Sequence, residues 1–154
     1  MQTKNLNVIA GGISYVGWDF ADLPLAAALE VACQQIDQAA DLARRSALGD
    51  SLRALEYQTT AKEAEAFAAA GYAGQVPPTV QAWMDAASRD AKAATDSILV
   101  EASAWKSAMY AIRAERLKGK QLVIKSASHA AAEGFADEAI GAIRSSVQGV
   151  GNAA

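Results

Sequence analysis

Leu25-Ala26-Ala27-Ala28-Leu29-Glu30-Val31-Ala32-Cys33-Gln34-Gln35-Ile36-Asp37-Gln38-Ala39-Ala40-Asp41-Leu42-Ala43 decides the fold class. Within it Leu25, Leu29, Ala32, Ile36, Ala39 and Ala43 recur at alternating spacings of four and three, the signature of a helical heptad seam. No proline or glycine interrupts the run, and alanine has the highest helix propensity of all residues. Pro24 is tolerated in a first helical turn, with Asp19 or Asp22 available as a cap. Arg44 and Arg45 follow where positive charge suits the helix dipole. A long amphipathic helix is therefore expected, ending at Gly49 with a new N-cap at Asp50-Ser51.

The same logic extends along the chain. A second helix is expected from about Ser51 to Ala70, with Leu52, Leu55, Thr59, Ala66, Phe67 and Ala70 on its less polar side and Lys62, Glu63 and Glu65 facing out. Gly71 is placed to stop it by a left-handed cap. Gly71 to Thr79 reads as a loop, because its two glycines and the Pro77-Pro78 pair favour extended or turn backbone; Tyr72 and Val76 are its anchors. Val80 to Ala87 forms a short helix burying Trp83 and Met84. A long helix restarts at Ser88 or Asp90, with a second heptad seam at Ala91, Thr95, Ile98, Ala102, Trp105, Met109 and Ile112. Arg116 and Gly119 then weaken the pattern, and Leu122-Val123-Ile124 suits either a helical continuation or a short strand. A last helix runs from about Ala130 to Gly149, interrupted at Gly134, with Ala136, Ala139, Ile140, Ile143 and Val147 inward; Gly149–Ala154 is expected to fray.

Residues 1–20 differ in kind. Leu6, Val8, Ile13, Tyr15, Val16 and Trp18 flank Gly11-Gly12, which reads as a β-hairpin or an extended arm. An isolated hairpin is marginal in water, so it must dock, either on its own helices or on a partner. The expected class is mainly α: an antiparallel helical hairpin or bundle of long Ala-rich helices with a short extended or β-hairpin N-terminal arm. The expected divisions are the arm at 1–20, a helical core at 21–125, and a C-terminal helix and tail at 126–154.

Composition narrows the function classes. About a quarter of the 154 residues are alanine, and small side chains bury little area each, so such helices need close neighbours, including those of other subunits. The net charge is −3, unlike the strongly basic balance of a general nucleic-acid binder. Cys33 is the only cysteine, so neither an intramolecular disulfide nor a cysteine-based zinc cluster can form. The first residues lack the pattern of a secretory signal, and no apolar run has the length of a transmembrane helix.

Catalytic chemistry finds little support. His129 is the only histidine, and no nucleophile-elbow pattern surrounds Ser126 or Ser128; a surface or capping role is expected. Cys33 reads as a small packing residue, since Glu30 and Asp37 oppose thiolate formation. The acidic residues lack metal-ligand spacing. Gly119-Lys120 is followed by Gln121 where a phosphate loop needs a hydroxyl. No catalytic residue, metal, cofactor or small-molecule substrate is expected.

One charge feature stands out. Lys106, Arg113, Arg116, Lys118, Lys120 and Lys125 have only Glu115 as a local counter-charge, which suits a solvated face or an acidic patch on a neighbouring subunit. Trp83, Trp105 and Tyr110 are core residues by default, and any that proves exposed becomes an interface candidate. The interface candidates are Leu6, Val8, Ile13, Tyr15 and Trp18 in the arm, with Arg113, Arg116, Lys118 and Lys120 in the basic stretch.

Glu65-Ala66-Phe67-Ala68-Ala69-Ala70-Gly71-Tyr72-Ala73-Gly74-Gln75-Val76-Pro77-Pro78-Thr79-Val80-Gln81-Ala82-Trp83 resembles a segment of small tail-associated proteins of tailed bacteriophages, including segments attached to tail-fibre components. Ala94, Asp96, Ile98-Leu99, Ala104-Trp105, Ile112-Arg113, Arg116-Leu117 and Gly119-Lys120 extend the likeness, which covers roughly residues 55–125. It implies a non-enzymatic virion structural protein, assembled in the host cytoplasm, with itself and other virion proteins as partners and no membrane or nucleic-acid role. A tail-fibre assembly chaperone and a head decoration protein are the alternatives. The family has no defined catalytic motif, so it supplies no functional residues.

Overall fold

The computed structural model describes residues 1–49 and 51–150. It is mainly helical, with a two-stranded antiparallel hairpin at the N-terminus. Strands β1 (Leu6–Ala10) and β2 (Ile13–Trp18) precede a 3-10 turn at Phe20–Asp22. Five helices follow: α1 (Leu25–Leu48), α2 (Ser51–Ala69), α3 (Pro78–Ala87), α4 (Ala91–Ile124) and α5 (His129–Ser145). The chain forms two compact units. One contains Met1–Arg44 and Met109–Gln148, and the other is built on Arg45–Ala108.

In the first unit the hairpin closes at Gly11 and Gly12, whose φ values of 55° and 78° are those of a tight hairpin turn. Its register pairs Val8 with Tyr15 and Ala10 with Ile13, and shifts between Leu6 and Asn7. The pleat turns Leu6, Ala10 and Tyr15 into the core shared with the helices. Polar ties hold the segment to α1: Gln34 Nε2 donates to the Ile9 carbonyl at 3.2 Å, and the Gly11 N–H donates to Glu30 at 2.8 Å. Of the two docking options the sequence allows, the hairpin takes its own helices for one face.

Helix α1 buries more than one seam. Ala32, Ile36, Ala39 and Ala43 are buried as their spacing predicts, and so are Ala27, Ala28, Val31 and Ala40. Neighbouring positions on a helix lie 100° apart, so this arc covers two adjoining faces rather than one narrow stripe. At its start, Asp19 and Asp22 do not cap α1. Asp22 lies in the 3-10 turn, and Asp19 accepts from Lys4 Nζ at 2.7 Å and the Asn5 N–H at 3.1 Å. The Pro24 carbonyl accepts the first helical bond, from Ala28. Gly49, at φ 69°, ends the helix as expected. The proposed cap at Asp50 lies outside the described residues.

Close packing in this unit converges on Gly119. A methyl group added there would overlap the Ala139 Cβ of α5 and stand 3.4 Å from the Ile36 Cδ1 of α1. The glycine that weakens the heptad pattern is thus the point where α4 and α5 approach closely, with the Ile36 side chain of α1 packed against them. Leu122–Ile124 continue α4 as helix, and α5 runs through Gly134 without a break, where an added side chain would meet open space. Ser128 caps α5 by accepting from the Ala131 N–H at 3.2 Å. The inward set Ala136, Ala139, Ile140 and Ile143 is buried.

In the second unit Ala64, Val80 and Ala94 form a small core, with Val76, Trp83, Met84, Ile98 and Leu99 against it. The expected face of α2 is buried at Phe67, but Leu52 and Leu55 are 77% and 60% exposed and Ala64 is buried in their stead. Packing against α3 and the loop sets the rotation of this Ala-rich helix, whose own apolar pattern is too weak to do so. Glu63 faces α3 and accepts from the Thr79 N–H at 3.2 Å and its hydroxyl at 2.6 Å, satisfying the orphan donor of a helix whose N-cap is Pro77. Gly71 takes φ 69° to end α2, and Tyr72 pins the loop through a 2.7 Å bond to Asp96. Asp90 caps α4 by accepting from the Ala93 N–H at 2.7 Å. Trp83 and Trp105 are half-buried, and their indole N–H groups donate to Ser97 at 2.8 Å and to the Ala47 carbonyl at 3.3 Å.

Candidate functional site

The hairpin divides the arm candidates. Leu6 and Tyr15 are buried and Val8 half-buried, so the pleat makes them core residues of this chain. Ile13 and Trp18 are exposed at 59% and 42%, and Trp18 stands edge-on to Tyr15 with ring centroids 5.4 Å apart. Ile9 and Val16 are also exposed, from the opposite side of the strands. The hairpin therefore carries exposed apolar side chains on both sides of its strands.

The basic stretch divides in a similar way. Asp37 on α1 accepts from Arg116 at 2.9 Å and from Lys120 at 2.5 Å. Burial disfavours the Asp37 charge, but hydrogen bonds from Lys120 and Arg116, reinforced by their charges, outweigh it and hold the carboxyl below the usual range. Arg116 and Lys120 thus spend their charge within the chain. Lys118 lies 4.0 Å from Glu138, a loose pair between exposed groups. Arg113 is exposed and has no ion pair among the described residues. The sequence places Asp37 far from these cations, so only the packing of α1 against α4 reveals their common partner.

This triad makes a pH prediction. A carboxyl with a depressed folded pKa contributes stability above its unfolded value, near 4, and that contribution disappears as pH falls through the lower folded value. Asp37→Asn should cost about 1–2 kcal/mol at neutral pH, the pairs being only partly buried. The gap between the two proteins in urea melts should narrow below about pH 4, and a gap that is constant with pH would count against the assignment.

His129 and Cys33 both make contacts within the first unit. His129 opens α5, and its Nε2–H donates to the Leu23 carbonyl at 2.8 Å. Its ring lies edge-on to Phe20 at 5.8 Å. The residue therefore ties the start of α5 to the turn before α1. Burial pushes the Cys33 thiol above its usual pKa, and Sγ lies 3.9 Å from the Lys120 carbonyl. A recess lined by Glu115, Lys118, Gly119, Leu122, Phe135, Glu138 and Ala139 encloses about 10 Å³, space on the scale of one water. Among the described residues no group of three or more His, Cys, Asp or Glu is placed to hold a metal ion, and no helix is long and apolar enough to cross a membrane.

Of Trp83, Trp105 and Tyr110, which default to the core, only Tyr110 proves exposed. It is 63% exposed on α4, in contrast to Trp83 and Trp105. No family model matches the chain, and comparison with curated proteins and with solved structures returns no match.

Proposed function

We propose that this chain is a non-enzymatic structural protein of a tailed-bacteriophage virion, tail- or tail-fibre-associated, whose Ala-rich helices form an antiparallel bundle that presents association surfaces. The observation that carries the association role is the two-faced hairpin. Leu6, Ala10 and Tyr15 anchor it, while Ile9, Ile13, Val16 and Trp18 are left 42–73% exposed. Large apolar side chains grouped on one small element favour contact with another protein surface. The phage assignment rests on the resemblance of residues 65–83 and the residues that extend it.

Mass spectrometry of purified particles tests this role. The chain should be present at a fixed stoichiometry, and Val16→Glu, which leaves the core face intact, should lower its incorporation. A chain found in the lysate but absent from particles would overturn structural membership and favour an assembly chaperone. The double variant Cys33→Ala with His129→Gln should incorporate like the parent. A loss of function without a loss of folding in that variant would point to chemistry instead.

A further inference from the structure

Between Tyr110 and Lys125 the outward side of α4 has a second pattern, distinct from its buried seam. Tyr110, Ala114, Leu117, Gln121 and Ile124 are all exposed and succeed one another at spacings of four, three, four and three. Tyr110, Leu117 and Ile124 fall one heptad apart, and their exposures are 63%, 44% and 55%. At 100° per residue these five positions occupy an arc of about 80°, narrower than a core-facing stripe and matched to a single helical neighbour. Exposed Arg113 borders the arc on one side, and exposed Lys118 and Lys125 border it on the other. No acidic residue of α4 lies in this arc, since Glu115 falls outside it, and Glu138 of α5 stands only in a loose 4.0 Å pair with Lys118.

We propose that this face of α4 is a docking seam for an amphipathic helix of another protein, with apolar residues at heptad spacing and carboxylates on both flanks. Charge decides the occupant. In heptad terms Arg113 occupies a g position and Lys118 and Lys125 occupy e positions, while Lys120, the next g residue, is paired with Asp37. A second copy laid parallel would set g cations against e cations, and an antiparallel copy would set g against g and e against e. Either arrangement juxtaposes like charges along the rim, which costs several kcal/mol. Acidic flanks would instead meet Arg113, Lys118 and Lys125 while the partner's apolar residues cover Leu117 and Ile124. A membrane surface fits less well, because an interfacial helix needs a broad apolar face of large residues and this arc contains Ala114 and Gln121.

The inference deepens the assembly reading by naming the partner's chemistry. It is tested on the isolated full-length chain, so a chain absent from particles would leave it standing, and failure of binding would leave virion membership standing. The probe is a synthetic four-heptad peptide with Ile at a, Leu at d and Glu at e and g; its counterpart carries Lys at e and g. Fluorescence anisotropy should show binding of the Glu peptide, weakening as salt is raised, and no binding of the Lys peptide. Arg113→Glu with Lys125→Glu, both exposed positions, should weaken the Glu peptide at least about tenfold and admit the Lys peptide. Leu117→Glu should abolish binding of the Glu peptide, with the thermal melt unchanged. The proposal is overturned if the Glu peptide fails to bind at low salt, or binds the charge-reversed variant equally well. It is also overturned if Leu117→Glu dissociates a dimer of the chain, or if the face binds phosphatidylserine vesicles but not the peptide.

Discussion

Gly119→Leu should destabilise the protein by about 3 kcal/mol or more, near the upper end of the usual cost of overpacking a filled interior. The physical reason is local. Even a methyl group at this position overlaps the Ala139 Cβ, and Ile36 closes the third side at 3.4 Å. A leucine cannot be admitted unless α5 or α1 moves from α4. Gly119→Ala is the sharper test, since two effects oppose each other there. Alanine gains about 1 kcal/mol of helix propensity over glycine, whereas the overlap costs about 1–3 kcal/mol. We expect the overlap to win and urea denaturation to show a net loss. Ala139→Gly in the same chain should then restore much of the stability, because it removes the atom that the new methyl strikes. A Gly119→Ala protein more stable than its parent by the full propensity gain of about 1 kcal/mol would mean that the helices do not approach this closely.

Phe20→Ala is expected to cost about 3–5 kcal/mol, the range for deleting a buried aromatic side chain. Phe20 is 1% exposed and sits in the 3-10 turn between hairpin and α1. Its N–H donates to the Thr3 carbonyl at 2.8 Å, and its ring meets the edge of His129. The cavity would therefore loosen the hairpin, α1 and the start of α5 together. With a fall of about 2–4 °C per kcal/mol for a chain of this size, the melting temperature should drop by about 10 °C. Hydrogen exchange supplies a second readout: amides of β1 and β2 should lose protection more than those of α3. Phe20→Leu should recover part of the loss. Equal effects of the leucine and alanine variants would remove the packing explanation.

How much of this was legible beforehand differs by element. Helix α1 could be read from its composition and spacing, because alanine propensity and an unbroken apolar period act locally. The Gly11-Gly12 turn, the Gly49 and Gly71 stops and the Asp90 cap were equally legible, since each depends on one residue's backbone freedom or one short side chain. On helix α2 the less polar side is buried at Phe67, while Leu52 and Leu55 on the same side stay exposed. Alanine lies on every side of it, so neighbours rather than periodicity choose which side turns inward. Gly134 looked like a break and is not one, because a helix held by tertiary contacts tolerates the roughly 1 kcal/mol cost of a glycine.

Among the candidate surfaces, sequence identified the cations between Arg113 and Lys125 but could not sort them. Arg116 and Lys120 point to Asp37, residues distant in the chain that meet only when α4 lies beside α1. Tyr110, Leu117 and Ile124 remain outside because Gly119 and Ile112 turn the opposite side of the same helix inward. Local rules thus determined where helices, hairpin and stops lie, starting from the Leu25–Ala43 seam. Tertiary structure alone decided which charges are neutralised and which apolar residues stay exposed, because rotation and approach of Ala-rich helices depend on packing partners that no local period encodes.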